Sequence, residues 1–158
     1  MNKTNLLSVI LVASLLIISG CNNLQQNPND NQKTIDDAPE LLAGKESKYY
    51  EFNKQLYEQA LKDNKIILLY FYANWCPICK EEQPKVFSAF NELDDEKIIG
   101  FRVNYKDSDT DKDEEMLAKE FQIPYQHTKV IIKDGKQVLK APNSWSKDTY
   151  LRELDKVA

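Results

Sequence analysis

Residues 66–80, IILLYFYANWCPICK, contain the pattern that decides the fold of this chain. The first seven residues are a continuous apolar and aromatic run, long enough for a fully buried central strand and short for a buried helix. Cys76 and Cys79 follow, and their spacing places them one turn apart on one face if a helix begins there. The stretch therefore predicts a buried strand that leads into a cysteine pair at the start of a helix.

Strands and helices are expected to alternate on both sides of this stretch. Apolar residues at helical spacing, short apolar runs, turn residues and N-cap residues mark the other elements. These are a helix over 46–63, a helix over 79–93 that Pro84 is expected to kink, a strand over 98–105, a helix that ends near Phe121, a hairpin around Asp134-Gly135 and a last helix after Ser146. The order predicts one α/β domain, residues 45–158, with a mixed central sheet flanked by helices on both faces.

The N-terminal residues predict export and lipidation. Residues 6–18 form an apolar run that suits a signal-peptide core of roughly 7–15 residues better than a membrane span of about 20. The run ends in Ile18-Ser19-Gly20-Cys21, which resembles the lipobox of bacterial lipoprotein precursors, where the cysteine is lipidated and becomes the N-terminus. We therefore expect a lipoprotein signal peptide over residues 1–20 and a lipid on Cys21. A signal anchor, or an ordinary signal peptide with an incidental cysteine, is the alternative.

Residues 21–44 predict a flexible polar tether, because they are rich in Asn, Gln, Asp and Pro and hold few apolar side chains to bury. With Cys21 lipidated, this tether would hold the domain at the cell membrane, on its extracytoplasmic face. The net charge of -4 is mild and acidic and basic residues are interspersed, so nucleic acid is not an expected partner. We expect a monomer.

The chain has three cysteines, and Cys76 and Cys79 are the pair that remains once Cys21 is lipidated. A close pair in an exported domain can cycle between dithiol and disulfide, because the environment outside the cytoplasm is oxidising or weakly buffered. A structural zinc site needs four ligands, whereas the chain offers these two cysteines and one histidine. The pair therefore predicts redox chemistry, and an inert disulfide is the structural alternative.

The cysteine pair and the order of elements resemble one known family. W-C-x-x-C at the start of a helix, directly after a buried strand, is similar to thioredoxin over residues 46–157. The continuation KEEQP, residues 80–84, is similar to the membrane-anchored TlpA/ResA-type branch. The resemblance implies a thioredoxin-like, extracytoplasmic thiol-disulfide oxidoreductase that reduces exported protein disulfides. It also implies a membrane electron donor such as a CcdA-like protein and no cofactor beyond the disulfide itself.

The two cysteines are expected to have different roles. A helix N-terminus lowers the pKa of a thiol from about 8.5 to roughly 3.5–7.5, so Cys76 is the expected nucleophile. Cys79 is expected to be more buried and to stay protonated longer, as the resolving thiol. Trp75 is expected either to shield the site and form docking surface or to pack against the strand. Pro77 and Ile78, between the cysteines, are expected to tune the reduction potential.

The proton-transfer device of the family is altered in this sequence. Tyr70 stands where thioredoxin buries an aspartate as proton acceptor for the second cysteine, and Arg102 stands where that aspartate has a lysine partner. We therefore expect the device to be absent or replaced. Glu81 and Glu82 are candidates for the replacement, although solvated positions on a helix surface would explain both of them.

His127 stands where the family has a cis-proline beside the cysteines, and Pro124 lies three residues too early. The Gln126–His127 peptide is expected to be trans, because a non-proline cis bond costs about 3–4 kcal/mol. The histidine would tune Cys76, move protons, fill the vacated space, or join both sulfurs in a Cu(I) site like that of Sco-type copper chaperones. A copper-delivery lipoprotein that uses Cys76, Cys79 and His127 is thus the alternative function. A redox-silent lipoprotein that only binds a partner is a third.

Overall fold

The structure is a computed structural model, and it describes residues 38–158. The elements in chain order are β1 (Leu41–Ala43), β2 (Lys48–Glu51), α1 (Lys54–Lys62), β3 (Ile66–Tyr72), α2 (Pro77–Glu92), β4 (Ile98–Asn104), α3 (Lys112–Glu120), β5 (Thr128–Lys133), β6 (Lys136–Ala141) and α4 (Lys147–Asp155). None of the helices in this part of the chain is long and apolar enough to cross a membrane. The predicted signal peptide and Cys21 lie outside the described residues.

The start of the domain differs from the sequence prediction. A single helix is predicted over 46–63, but β2 occupies the first part of that range and α1 begins only after Asn53, its N-cap. β1 lies within the predicted tether, so the sheet begins before the expected boundary at residue 45. Both strands are short, and β2 is held by parallel pairing with β4, which is distant in sequence. Local apolar spacing carries no signal for such pairing.

One six-stranded sheet organises the domain, in the order β1-β2-β4-β3-β5-β6. β3 is central and pairs parallel with β4 and antiparallel with β5. β5 and β6 form the predicted hairpin through the turn at Asp134 and Gly135. The predicted mixed sheet is therefore confirmed, and the strand that leads to the cysteines lies at its centre.

Helices cover both faces of this sheet. All seven residues of β3 are buried, which explains why the strand is apolar throughout and does not alternate. Leu68 and Tyr70 lie in one core with residues of α2 and α4, whereas Ile67, Leu69 and Phe71 lie in the other with residues of α1 and α3. The predicted layers are confirmed, and α2, which begins at the cysteine pair, is packed on the first of these faces.

Gly100 of β4 lies where α2 approaches the sheet closely. A Cβ at this position would lie 2.4 Å from Cδ2 of Tyr49 and 2.5 Å from Cζ of Phe90, both fully buried. Gly100→Ala should therefore overpack the core under α2 and lower the free energy of unfolding by about 1–3 kcal/mol, measured by urea denaturation. In a Phe90→Leu background, whose side chain is shorter, the same substitution should cost less. An equal loss of unfolding free energy in both backgrounds would contradict a collision between the added methyl group and Phe90.

Candidate active site

Cys76 and Cys79 lie at the junction of β3 and α2. Cys76 is the N-cap of α2, and its Sγ accepts a hydrogen bond of 3.2 Å from the backbone N–H of Cys79. Pro77 occupies the first turn, where its missing N–H costs no hydrogen bond. Both cysteines are free thiols. An N–H donor and the positive end of a helix favour negative charge on the Cys76 sulfur, which is what a nucleophilic thiol needs.

Cys79 differs from Cys76 in its electrostatic surroundings. Burial, together with a hydrogen bond with Cys76, raises the pKa of the Cys79 thiol to about 12. The expected difference in exposure is not present, because the relative exposures of Cys76 and Cys79 are 1% and 0%. Cys79 is thus held as a neutral thiol at physiological pH, and it needs a proton acceptor before it can attack a disulfide.

This raised pKa predicts slow alkylation of Cys79 in the Cys76→Ser variant. Iodoacetamide reacts with the thiolate, so its rate at Cys79 should keep rising with pH beyond about pH 9, where an ordinary thiol approaches its plateau. Mass spectrometry of the peptide that contains Cys79 measures the rate. The same variant unfolded in urea should show the ordinary profile, and an ordinary profile in the folded protein would contradict the effect of burial.

Exposed apolar side chains surround the cysteine pair in sequence. Trp75 and Ile78 are 54% and 44% exposed, and Pro77 is exposed as well. The indole Nε1 of Trp75 donates a hydrogen bond of 3.0 Å to the carbonyl of Lys106. Of the two roles expected for Trp75, packing against the strand is therefore wrong. The ring is held at the surface beside the buried thiols, where it adds to the area that a partner can contact.

Glu82, one turn after Cys79 in α2, is a buried carboxylate. Its Oε1 accepts three hydrogen bonds, from Lys129 Nζ at 2.8 Å, the backbone N–H of Trp145 at 2.7 Å and the Tyr150 hydroxyl at 2.8 Å. Its Oε2 accepts a single, longer bond of 3.3 Å from the Tyr70 hydroxyl. The carboxylate is therefore fixed through one oxygen, and the other faces the side of Tyr70.

Tyr70 connects this carboxylate with the resolving thiol. Tyr70 and Cys79 belong to the same buried cluster, and the hydroxyl of Tyr70 lowers the pKa of Cys79 against the larger effect of burial. Glu81 is exposed, so Glu82 is the candidate that the structure places at the site. Arg102 pairs instead with Glu51, at 2.6 Å between Nε and Oε2.

Lys129 is the residue of the site that the sequence prediction missed. Its ammonium and the Glu82 carboxylate form an ion pair whose side chains are 0% and 1% exposed. The signal was a lysine at the start of an otherwise apolar strand, TKVII, at residues 128–132. A charge at a fully buried strand position requires a partner, but the sequence did not identify which acid supplies it.

His127 adopts an unusual backbone conformation next to the site. Its φ of 55° lies in the left-handed region, and its N–H donates a bond of 2.7 Å to the carbonyl of Phe71 at the end of β3. The described residues contain no cis peptide bond, as expected for Gln126–His127. Among residues 38–158, Nδ1 of the buried imidazole has no hydrogen-bond partner. The aromatic ring of Tyr125 lies 5.3 Å from the imidazole, centroid to centroid.

The copper site expected as the alternative is not formed. Within residues 38–158, no group of three or more His, Cys, Asp or Glu side chains is arranged to hold a metal ion. Cys76, Cys79 and His127 therefore do not make a three-ligand set. The N–H of His127 donates to the Phe71 carbonyl of β3. His127 therefore contributes its backbone to the site.

Comparison with known protein families matches most of the domain. The family model described as thioredoxin covers residues 48–156. The thioredoxins of Mycobacterium bovis and Mycobacterium tuberculosis are each 32% identical over 97 residues, which are 61% of this chain and 78% of those proteins. The matched region therefore includes β2 and all later elements, together with the cysteine pair.

Solved structures agree on the fold. Thioredoxin from Aeropyrum pernix superposes with a TM-score of 0.57 at 17% identity, covering 75% of this chain and 93% of that protein. The short form of spinach chloroplast thioredoxin f gives a TM-score of 0.55 at 22% identity, covering 69% of this chain and 92% of that one. With its close Cys76–Cys79 pair at the head of α2, the chain belongs to the thioredoxin family and is a thiol-disulfide oxidoreductase.

Proposed function

We propose that this protein is a lipid-anchored reductase of exported protein disulfides, at the extracytoplasmic face of the cell membrane. The observation that carries the redox part is the position of Cys76 as N-cap of α2, with its sulfur accepting the Cys79 N–H. The export and lipid anchor are supported by the apolar run at residues 6–18 and the lipobox-like segment that ends in Cys21. The KEEQP segment after Cys79, similar to the TlpA/ResA-type branch, supports the direction.

The reaction has two exchange steps. In the first, the Cys76 thiolate attacks one sulfur of the substrate disulfide, that S–S bond breaks, and the other substrate sulfur leaves as a thiolate that takes a proton from water. In the second, Cys79 loses its proton and attacks the Cys76 sulfur, the mixed disulfide breaks, a Cys76–Cys79 disulfide forms, and the second substrate sulfur leaves as a thiolate that takes a proton from water. The substrate gains two electrons and two protons, and the chain loses them.

The second step needs a proton acceptor, because the pKa of Cys79 is raised to about 12. Glu82 Oε2 is the candidate oxygen, since within residues 38–158 it accepts one long hydrogen bond, from Tyr70, while Oε1 is already bound by three donors. The proton would pass from the Cys79 thiol toward this oxygen by way of the Tyr70 hydroxyl. Proton transfer then accompanies the attack on the mixed disulfide.

The direction of the reaction can be tested in intact cells. Acid quenching followed by a thiol reagent of high mass should shift the protein by two equivalents, because a reductase is kept as the dithiol by its donor. A lipidated Cys21 adds no equivalent. Deleting the gene of a CcdA-like membrane donor should abolish the shift. A pair that is already a disulfide in the presence of the donor would contradict the reductase role and favour an oxidase.

Cys21→Ala should release the protein from the membrane without slowing its thiol chemistry, because the lipid is the expected attachment and the cysteine pair lies in the folded domain. Fractionation of cells, followed by the rate of reduction of a model disulfide, measures both effects. Protease added to intact cells should degrade the native protein. Retention of the variant in the membrane with an uncleaved N-terminus would favour a signal anchor instead.

A further inference from the structure

Lys129 is a fully buried lysine on β5, paired in register with Tyr70 of β3. Its Nζ makes three hydrogen bonds, to Glu82 Oε1 at 2.8 Å, to the carbonyl of His127 at 2.9 Å and to the carbonyl of Asn143. An ammonium has three N–H donors, so each of them is used. One nitrogen therefore joins the helix that carries the cysteines, the segment before β5 and the loop after β6.

Aromatic rings complete the surroundings of this ammonium. Nζ lies 5.2 Å from the ring centroid of Trp145 and 5.6 Å from that of Tyr70. The titratable groups that face the pair are Cys79 on α2, Tyr70 on β3 and Tyr150 on α4. Neither His127 nor Asn143 brings a second carboxylate to the ammonium, because each contributes a backbone carbonyl. Glu82 is thus the negative charge that keeps Lys129 in place.

His127 is hydrogen-bonded to this ammonium through its backbone carbonyl. Non-glycine residues seldom adopt a φ near 55°, and they persist there when neighbouring groups hold them. Here the N–H is held by the Phe71 carbonyl and the C=O by Lys129. Phe71 is followed by Tyr72, the last residue of β3, and residues 73–75 lead from that strand to Cys76. Both the N–H and the C=O of His127 are therefore hydrogen-bonded, and these two bonds hold the segment 124–127 beside the site.

We propose that Lys129 is a positioning residue that couples the ionisation of Glu82 to the backbone of segment 124–127. The inference rests on the proposed function, because it concerns the step in which Cys79 gives up its proton. While Glu82 is a carboxylate, the ion pair holds the ammonium against the His127 carbonyl. When Glu82 takes the proton from Cys79, the pair loses its attraction and the segment is released as the reduced substrate leaves.

Hydrogen exchange measures whether the ion pair of Glu82 and Lys129 holds the backbone of His127. Glu82 makes no hydrogen bond to residues 124–128, and Lys129 is the residue that hydrogen-bonds both Glu82 and the His127 carbonyl. In the full-length protein, Glu82→Gln and Lys129→Met should each speed exchange of the His127 amide by roughly tenfold or more relative to amides of β6. Lys133→Met is the matched control, since Lys133 also lies on β5 and donates to carbonyls, those of Val157 and Ala158.

Kinetics separates this inference from the proposed function. The first step, mixed-disulfide formation with a model disulfide at Cys76, should stay within about twofold of the native rate in every variant, whereas the second should slow by roughly 100-fold when the acceptor or its ammonium is lost. The Glu82→Gln/Lys129→Met double variant leaves no uncompensated charge. The rate of the second step can therefore be measured in it even if Lys129→Met alone fails to fold. A native second step in that variant, or a His127 amide that exchanges at the native rate in Glu82→Gln, would overturn the coupling. If the native protein forms no mixed disulfide, the proposed function fails and the coupling fails with it.

Discussion

Cys79→Ser should turn the protein into a trap that stays joined to its substrates through Cys76. Cys76 keeps its place as N-cap of α2, so it still attacks substrate disulfides, but the thiol that would resolve the mixed disulfide is gone. An intramolecular thiol acts at an effective concentration far above that of free thiols, so release should slow by at least roughly 1000-fold. Non-reducing electrophoresis of membrane fractions, with mass spectrometry of the linked proteins, measures the accumulation.

The matched control is Cys76→Ser, which should trap nothing and reduce model disulfides no faster than the uncatalysed reaction. Cys79 cannot take over, because burial raises the pKa of its thiol to about 12 and leaves almost no thiolate at neutral pH. Adducts that survive in Cys76→Ser would mean that Cys76 is not the nucleophile. If Cys79→Ser forms no adducts, the oxidoreductase function is wrong and a redox-silent protein that only binds a partner is favoured.

Local sequence carried most of the information about the fold. The run at residues 66–72 is apolar because β3 lies at the centre of the sheet, with helices over both faces, and Cys76 follows it after three residues. N-cap residues such as Ser146 and the hairpin turn at Asp134 and Gly135 mark element ends by local chemistry. β1 and β2 left no such mark, since each is short and defined by its neighbour in the sheet.

The candidate site divides in the same way. The position of the cysteines was predictable because it depends on a strand that a short connection, residues 73–76, joins to a helix. The pairing of Glu82 with Lys129 was not, since the two residues lie far apart in sequence and meet only when α2 packs against the sheet beside β5. Glu82 is on a helix rich in charged residues, where a buried acid and a solvated one have the same local sequence. Burial by tertiary contacts separates it from Glu81.

Glu82→Leu should destabilise the domain strongly. It leaves the buried Lys129 ammonium without a counter-charge and removes the acceptor of the Trp145 N–H and the Tyr150 hydroxyl. Breaking a buried ion pair from one side costs about 3–5 kcal/mol, a large part of the roughly 5–15 kcal/mol that holds a domain folded. Urea denaturation at constant pH measures the loss.

The pH dependence of this loss has a definite sign. Burial lowers the pKa of Lys129 from its ordinary value of 10.5, and Glu82 opposes that shift, so the Glu82→Leu variant lowers it further. The unfolded chain then binds more protons than the folded one between the lowered pKa and 10.5, and the stability of the variant should rise with pH across that window.

Adding Lys129→Met removes the stranded charge, so Glu82→Leu/Lys129→Met should recover most of the lost stability and lose this pH dependence. A double variant no more stable than Glu82→Leu would mean that the cost lies in the lost hydrogen bonds of Trp145 and Tyr150, not in the charge.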